Sequence, residues 1–128
     1  MRHPVLTPAE WHVMECLWEK SPRTAREITE ALTRQVGWSR STVLTLLYRM
    51  EDKQQIRSCS QDSVKTYSPI LPREEAVLDE TQSFLDRVYR GSISMMVSAF
   101  TRKQPLSPKE IEELYAILEE AKSTATDS

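Results

Sequence analysis

The sequence SRSTVLTLLYRMEDK, residues 39–53, predicts a helix from about Arg40 to Lys53 with two different faces. Apolar residues recur on one face at i, i+3, i+4 and i+7, the spacing of a buried stripe: Val43, Leu46, Leu47 and Met50. The other face carries small hydroxyls, one leucine and one aromatic at the same spacing: Ser41, Leu44, Thr45 and Tyr48. With Arg40 and Arg49 beside it, this second face is either solvated surface or a surface that enters a DNA groove.

Two shorter helices are predicted before this one. Residues 7–10, TPAE, combine a threonine N-cap, a proline at the first helical position and a glutamate that reaches back to the cap. Residues 24–27, TARE, repeat the capping box, and Gly37 is well placed to end the second helix. Ser39 then caps the third helix, so the second and third helices form a helix-turn-helix pattern.

Alternating residues after the third helix predict a hairpin. Residues 56–59 and 64–68 read as short strands around the polar turn at 60–63. Three helices followed by a hairpin make a winged helix, whose wing would hold Lys65 near a DNA phosphate. Pro69 and Pro72 then mark a domain boundary, which divides the chain into residues 1–71 and 72–128.

The remainder of the chain predicts three helices, at about 73–90, 92–103 and from 108 onward. The predicted fold class is therefore mostly α with a small β-hairpin, an N-terminal winged helix-turn-helix followed by a C-terminal three-helix domain. A region this small buries too little surface to be stable alone, so we expect it to form a homodimer; the alternative is that its helices fold back onto the first domain. The expected dimerisation residues are apolar: Phe84, Leu85, Val88, Tyr89, Ile93, Met96, Val97, Phe100, Ile111, Leu114, Tyr115 and Leu118.

Composition narrows the function classes. The 128 residues are 39% hydrophobic with a net charge of -2, which argues against disorder. We expect a cytoplasmic protein, because no apolar run is long enough to span a bilayer, no signal peptide is visible and two cysteines are too few for a disulfide scaffold. Residues 34–57 hold five basic and two acidic side chains, whereas residues 71–128 carry a net charge of -4. This asymmetry suits a DNA-binding half beside a protein-binding half.

Catalytic and metal-binding motifs are missing from the sequence. The two histidines, His3 and His12, have no cysteine at metal-ligand spacing, and two scattered glycines cannot form a phosphate loop. We therefore expect no catalytic residues, no metal site and no cofactor.

Several motifs together resemble the penicillinase-repressor family, the BlaI/MecI/CopY type of winged-helix transcriptional repressors. They are LTPAEWHVM at 6–14, Leu17-Trp18, Trp38-Ser39, Thr42-Val43, TLL at 45–47, YSP at 67–69, VYRG at 88–91, Leu106-Ser107 and EEL at 112–114. The resemblance spans residues 5–120. It implies a homodimer whose third helix reads the major groove of an inverted-repeat operator.

In the antibiotic-resistance branch, the resemblance also implies a membrane-bound sensor protease that cuts the repressor in its dimerisation domain. The matching bond here is Ala99–Phe100, where family members look like Asn-Phe; the alternative role for Phe100 is a core aromatic.

The copper-responsive branch has paired cysteines near its C-terminus, and this chain has none there. Positions 41 and 44 are basic or polar in relatives, so the operator is expected to differ from the family's usual TACA/TGTA half-site.

The expected DNA contacts follow from these observations. Base edges or the nearby backbone are assigned to Thr42, Thr45 and Tyr48, with an apolar contact from Leu44 that suits a thymine methyl. Phosphates are assigned to Arg40, Arg49, Lys53 and Lys65, and the face includes the hydroxyls of Ser39 and Ser41. Two other functions remain open at this point: a ligand-responsive winged-helix regulator of a different regulon, and a winged-helix module that binds protein.

Overall fold

A computed structural model describes residues 6–125, and it confirms a mostly helical chain with a small antiparallel sheet. The elements in chain order are α1 Pro8–Glu19, β1 Arg23–Thr24, α2 Ala25–Val36, α3 Arg40–Asp52, β2 Ile56–Gln61, β3 Val64–Pro69, α4 Arg73–Tyr89, α5 Ile93–Lys103 and α6 Pro108–Thr124.

The predicted helix caps are present. Thr7, Thr24 and Ser107 each accept a hydrogen bond from the backbone N–H three residues on, and the glutamate there accepts one in return. Gly37 ends α2 with a φ of 73°, a left-handed conformation that suits a residue without a Cβ. These caps explain why the helix starts follow so closely from local sequence.

The sheet has the strand order β1-β3-β2, and β1 was not predicted from the sequence. Arg23 pairs with Tyr67 and Thr24 with Thr66, so β1 adds two residues to the open edge of the hairpin. Two residues are too few to show an alternating pattern, and β1 exists because β3 offers it a partner.

The wing turn is a two-residue loop with left-handed backbone. Gln61 pairs with Val64 across it, and the central residues Asp62 and Ser63 have φ values of 52° and 66°. Two positive φ values in a two-residue hairpin loop define a type I′ turn, for which glycine is the favoured second residue.

Ser63→Gly is therefore expected to stabilise the protein, by about 0.5–1 kcal/mol, because glycine adopts a positive φ without the Cβ penalty. Urea denaturation followed by circular dichroism measures the change. Ser60→Gly is the matched control, since Ser60 lies within β2 and glycine there weakens a strand. A midpoint for Ser63→Gly at or below that of the wild type would contradict this assignment.

One core unites the first three helices and the sheet. Its largest fully buried apolar side chains are Met14, Leu17, Ile28, Leu32, Leu47, Met50, Ile56 and Leu71. The apolar face of α3 lies in this core, with Val43, Leu47 and Met50 buried and Leu46 packed against it. The core thereby sets which side of α3 faces outward.

The described residues divide into two compact units, one that ends at Phe84 and one that begins at Leu85, so the sequence-predicted boundary after residue 71 falls inside the first unit. The segment before α4 is packed there. The Gln55 carbonyl accepts hydrogen bonds from the N–H groups of Ile70 and Leu71, at 2.9 and 3.4 Å. The Trp18 indole donates to the Leu71 carbonyl at 2.9 Å. Ile70 and Leu71 therefore pack within the winged helix, the domain to which the sequence assigns them.

In the second unit, neither α5 nor α6 has a buried residue. Large apolar side chains on both helices are instead exposed, including Ile93, Phe100, Tyr115, Ile117 and Leu118, each at least 59% exposed. Helices of this kind bury an apolar stripe in stable proteins. The single chain leaves that stripe uncovered.

Candidate nucleic-acid interface

The outer face of α3, defined by Ser41, Leu44, Thr45 and Tyr48, is exposed along its whole length. Tyr48 is 76% exposed and Leu44 is 37% exposed. Arg40 and Arg49 are exposed beside this face. The two faces that the sequence predicts for this helix are thus separated in the structure, one in the core and one toward solvent.

The N-terminus of α3 carries no acidic side chain in its first turn, whereas α1, α2 and α4 each begin with at least one glutamate. Ser39 caps the helix, and its hydroxyl accepts a hydrogen bond from the Thr42 N–H at 3.3 Å. The same hydroxyl lies 3.1 Å from those of Ser41 and Thr42. The positive end of the helix dipole is therefore left without a neutralising carboxylate and has Arg40 beside it, an arrangement that attracts phosphate.

A shallow depression lies against this end of α3. It is lined by Ala9, Trp38, Ser41, Thr42, Thr45, Leu46 and Arg49. The turn that forms its rim is held by two contacts: the Thr33 hydroxyl donates to the Trp38 carbonyl at 2.7 Å, and the His12 ring meets the Trp38 ring edge-on at 5.4 Å. The approach to α3 is thus preformed by residues of α1 and α2.

Lys53 has a structural partner that the sequence does not reveal. Its ammonium lies 2.6 Å from Oε2 of Glu10, a carboxylate that is only 2% exposed. Burial raises the pKa of Glu10, but hydrogen bonds from Lys53, the Thr7 N–H and Gln55, together with the lysine charge, outweigh burial and lower the pKa overall. The structure therefore uses Lys53 to tie the end of α3 to the start of α1, which competes with its predicted phosphate contact.

Lys65 lies on β3 next to the wing turn, as predicted, but it also meets an acidic residue. Its ammonium is 3.9 Å from Oε1 of Glu51 and 5.4 Å from the centre of the Tyr67 ring. The Ser58 hydroxyl donates to the other Glu51 oxygen. Because Lys65 is half exposed and its ion pair is long, the ammonium can exchange this partner for a phosphate at small cost.

The expected dimerisation residues are mostly exposed in the single chain. Among them, Leu85 is the exception, because its side chain is buried within its own chain and only 7% exposed. We therefore leave Leu85 out of the interface that we propose below. Of the other expected residues in the second unit, Tyr89 and Met96 are partly buried, and the exposed ones are Val88, Ile93, Val97, Phe100, Ile111, Leu114, Tyr115 and Leu118.

The Ala99–Phe100 bond lies inside α5. Phe100 is 59% exposed, so in the single chain it is not a core residue, and it lines a depression with Tyr89, Ala99, Lys103 and Gln104. Its carbonyl accepts the hydrogen bond from the Gln104 N–H that ends the helix. A protease that requires extended backbone at this bond would have to unwind the last turns of α5.

The described residues contain no group of histidine, cysteine and carboxylate side chains that could hold a metal ion. No helix within residues 6–125 is long and apolar enough to cross a membrane. Cys16 is buried, and burial raises the pKa of its thiol, whereas Cys59 is exposed on β2. His3 lies outside the described residues, so the structure says nothing of it.

Three residues at the site escaped sequence analysis. Glu10 is recognisable as a capping residue, but its pairing with Lys53 joins positions 43 residues apart. Gln55 is buried beside them and donates to Glu10 at 3.3 Å. Glu51, which holds Ser58 and Lys65, gives no local signal that distinguishes it from a surface carboxylate. The roles of these three residues become visible only in the tertiary structure.

Comparison with known proteins places these features in a family. The family model described as "Penicillinase repressor" matches residues 6–120. The chain is 33% identical to the penicillinase repressor of Bacillus licheniformis over 94% of each chain. It is 32% identical to the methicillin resistance regulatory protein MecI of Staphylococcus aureus (strain N315), over 88% of this chain and 92% of that protein.

One solved structure is similar to part of the chain. It is the monomeric form of Bacillus licheniformis BlaI in complex with the blaP half-operator, with a TM-score of 0.53 and 26% identity over 58% of this chain and 90% of that one. The resemblance noted in the sequence is thus confirmed by comparisons made over most of the chain.

Proposed function

The chain belongs to the penicillinase repressor family, and from this premise we propose that it represses transcription as a homodimer that binds an inverted-repeat DNA operator. The relatives are named as repressors and resistance regulators, and one was solved on its half-operator. A DNA-binding repressor, and not an enzyme, is the function that these relatives support.

The observation that carries the proposal is the outer face of α3. It presents hydroxyls, one leucine and one tyrosine to solvent, and arginines and an uncompensated helix N-terminus flank it. In a helix-turn-helix protein the second helix lies in the major groove with its N-terminal residues on the base edges. The wing supplies Lys65 for a phosphate contact that positions the protein without reading sequence.

The uncovered helices of the second unit support the homodimer. Neither α5 nor α6 buries a residue in the single chain, and each has a run of exposed apolar side chains. A second copy offers the same surface, so a two-fold axis covers both at once. Two copies of α3 related by that axis match the symmetry of an inverted repeat.

We further propose that the regulated genes confer β-lactam resistance or a related trait, that the protein works in the cytoplasm, and that cleavage of Ala99–Phe100 by a membrane-bound sensor protease relieves repression. The names of the relatives support the first point. Incubating the repressor with membranes from antibiotic-treated cells and sequencing the fragments by mass spectrometry tests the last. An intact chain would favour induction by a ligand instead.

Selection of bound duplexes from a random pool tests the central proposal. The protein is expected to enrich an inverted repeat and to bind it more weakly as salt rises, since cationic side chains release counterions from DNA. Failure to enrich any sequence, with binding that ignores salt, would favour a winged-helix module that binds protein.

Two substitutions distinguish a residue that positions the protein on DNA from a residue that recognises the base sequence. Lys65→Ala is expected to weaken binding to operator and random DNA alike and to reduce the salt slope by about one, because a single phosphate contact is lost. Thr45→Ala is expected to cost ~1–3 kcal/mol at particular base pairs and to leave the salt slope unchanged. Fluorescence anisotropy titrations at several salt concentrations measure both. Equal effects of the two changes on random and operator DNA would show that these roles are wrongly assigned.

A further inference from the structure

Leu44 and Tyr48 form an apolar ridge on the outer face of α3, and its composition is unusual for a solvated surface. They are four residues apart, so their side chains are neighbours on one side of the helix. Leu44 is 37% exposed and Tyr48 is 76% exposed, while the opposite residues Val43 and Leu47 are fully in the core. Tyr48 therefore contributes little to the packing of the fold, whereas Leu44 is partly covered by its own chain and keeps 37% of its surface exposed for a partner.

The cationic and hydroxyl side chains along the ridge favour DNA as the surface that covers it, although Tyr48 also lies beside Glu51 and Asp52 at the far end of the helix. Arg40 and Arg49 are exposed on the same helix, and no acidic residue stands in its first turn. Ser41 and Thr45 place hydroxyls along the ridge. A protein partner would have to pair these cations with carboxylates of its own, whereas DNA supplies phosphates on both sides of the major groove.

The major groove offers one apolar group to such a ridge, the C5 methyl of thymine. Residues four apart are about 6 Å apart along the helix axis, and base pairs stack about 3.4 Å apart. A ridge of this length therefore reaches methyl groups one to two base pairs apart.

We propose that Leu44 and Tyr48 determine operator specificity by contacting the methyl groups of two thymines, one or two base pairs apart, in each half-site. This inference rests on the proposed function, because it assumes that α3 lies in the major groove. It predicts that recognition at these positions depends on the methyl group and not on hydrogen bonds to the base.

The experiment uses the full-length protein and the duplex that it enriches from a random pool. Each thymine of the half-site is replaced in turn by deoxyuridine, which lacks only the methyl. At two positions the affinity is expected to fall about fourfold, the factor that corresponds to ~0.8 kcal/mol for one buried carbon at 1.4 kcal/mol per tenfold. The replacement is expected to have no effect at the other thymines.

Protein variants then assign each methyl to a side chain. In Leu44→Ala, one of the two deoxyuridine effects is expected to disappear, and in Tyr48→Ala the other. Tyr48→Phe is the matched control, because it keeps the ring and removes the hydroxyl, and it is expected to retain both effects. Replacing thymine by 5-methylcytosine, paired with guanine, is expected to bind about fourfold better than plain cytosine at the same positions.

The outcomes distinguish this inference from the function on which it rests. If a sequence is enriched but deoxyuridine has no effect at any position, the methyl contacts are refuted, whereas the proposed function as a DNA-binding repressor is not. If Tyr48→Phe loses as much affinity as Tyr48→Ala, the hydroxyl is the reading group and the inference fails for Tyr48. If Leu44→Ala changes the sedimentation of the free protein, the ridge is an interface between copies. If no sequence is enriched, both proposals fail.

Discussion

The double variant Leu114→Glu, Leu118→Glu is expected to be a monomer that has lost most of its affinity for the full operator. The two leucines lie one turn apart on α6 and are 37% and 62% exposed in the single chain. In the proposed dimer they are covered by the partner, where a carboxylate loses water and gains no compensating charge. Sedimentation is expected to show a species of 14.8 kDa in place of one twice that mass.

The affinity for the full operator falls because a monomer contacts only one of the two half-sites. A dimer that holds one half-site presents its second α3 to the other half-site at a high effective concentration, which is worth about 10²–10⁴ in affinity. The monomer is expected to lose that factor on the full operator and to bind an isolated half-site as the wild type does. The half-site measurement is the control for the two added negative charges, because a general repulsion of DNA would weaken it too.

A second control lies on the other side of the same helix. Glu113→Ala, Glu120→Ala changes exposed residues that lie roughly 100–160° around the helix from the leucines, and it is expected to leave the dimer intact. Should the leucine variant remain a dimer with an unchanged circular dichroism spectrum, α6 would not form the interface. A wild type that sediments as a monomer at micromolar concentration would overturn the homodimer itself.

The sequence predicted α3 to within one residue, as 40–53 against the observed Arg40–Asp52, for a physical reason. Ser39 caps the helix through a contact three residues away, and the apolar stripe repeats every turn. Both signals are local, so both can be read from a short window. The outward face of the helix follows from the same stripe, because burying one side exposes the other.

The role of Lys53 could not be predicted from its neighbours in sequence. A lysine at the end of a basic helix has the same neighbours in sequence whether it holds a phosphate or a buried carboxylate. The choice depends on Glu10, which the fold of α1 against α3 brings within 2.6 Å. β1 was missed for a related reason, since its two residues become a strand only when β3 lies beside them. Long-range pairing of this kind leaves no periodic trace.

Lys53→Ala is expected to destabilise the protein by about 2 kcal/mol at neutral pH, because it leaves the buried Glu10 carboxylate without its charged donor. Glu10 keeps its hydrogen bonds from the Thr7 N–H and Gln55, and Lys53 is half exposed, so the loss is smaller than for a fully buried pair. Glu10→Gln is the matched variant. It is expected to cost less, since the lysine that it frees can turn to solvent.

The pH dependence distinguishes this pair from a general packing defect. The folded pKa of Glu10 is lowered, so its contribution is fully present above the unfolded value near 4.5 and is lost as pH falls through the folded pKa. In Lys53→Ala the lysine no longer lowers that pKa. The difference in unfolding free energy between wild type and Lys53→Ala is therefore expected to shrink as pH falls from the folded pKa of Glu10 in Lys53→Ala to its lower folded pKa in the wild type, below which Glu10 is protonated in both. Urea titrations from pH 3 to pH 7 measure it.

The same variant decides between the two roles of Lys53. If the lysine is structural, Lys53→Ala binds operator with the wild-type salt slope at temperatures where it is folded, because no phosphate contact is removed. If the lysine instead contacts a phosphate, the slope falls by about one and stability is unchanged. Lys65→Ala, which is expected to lower the slope, provides the scale for the comparison. A lowered salt slope for Lys53→Ala with an unchanged urea midpoint would show that Lys53 contacts DNA. The Glu10 carboxylate would then be stabilised by Gln55 and the Thr7 N–H alone.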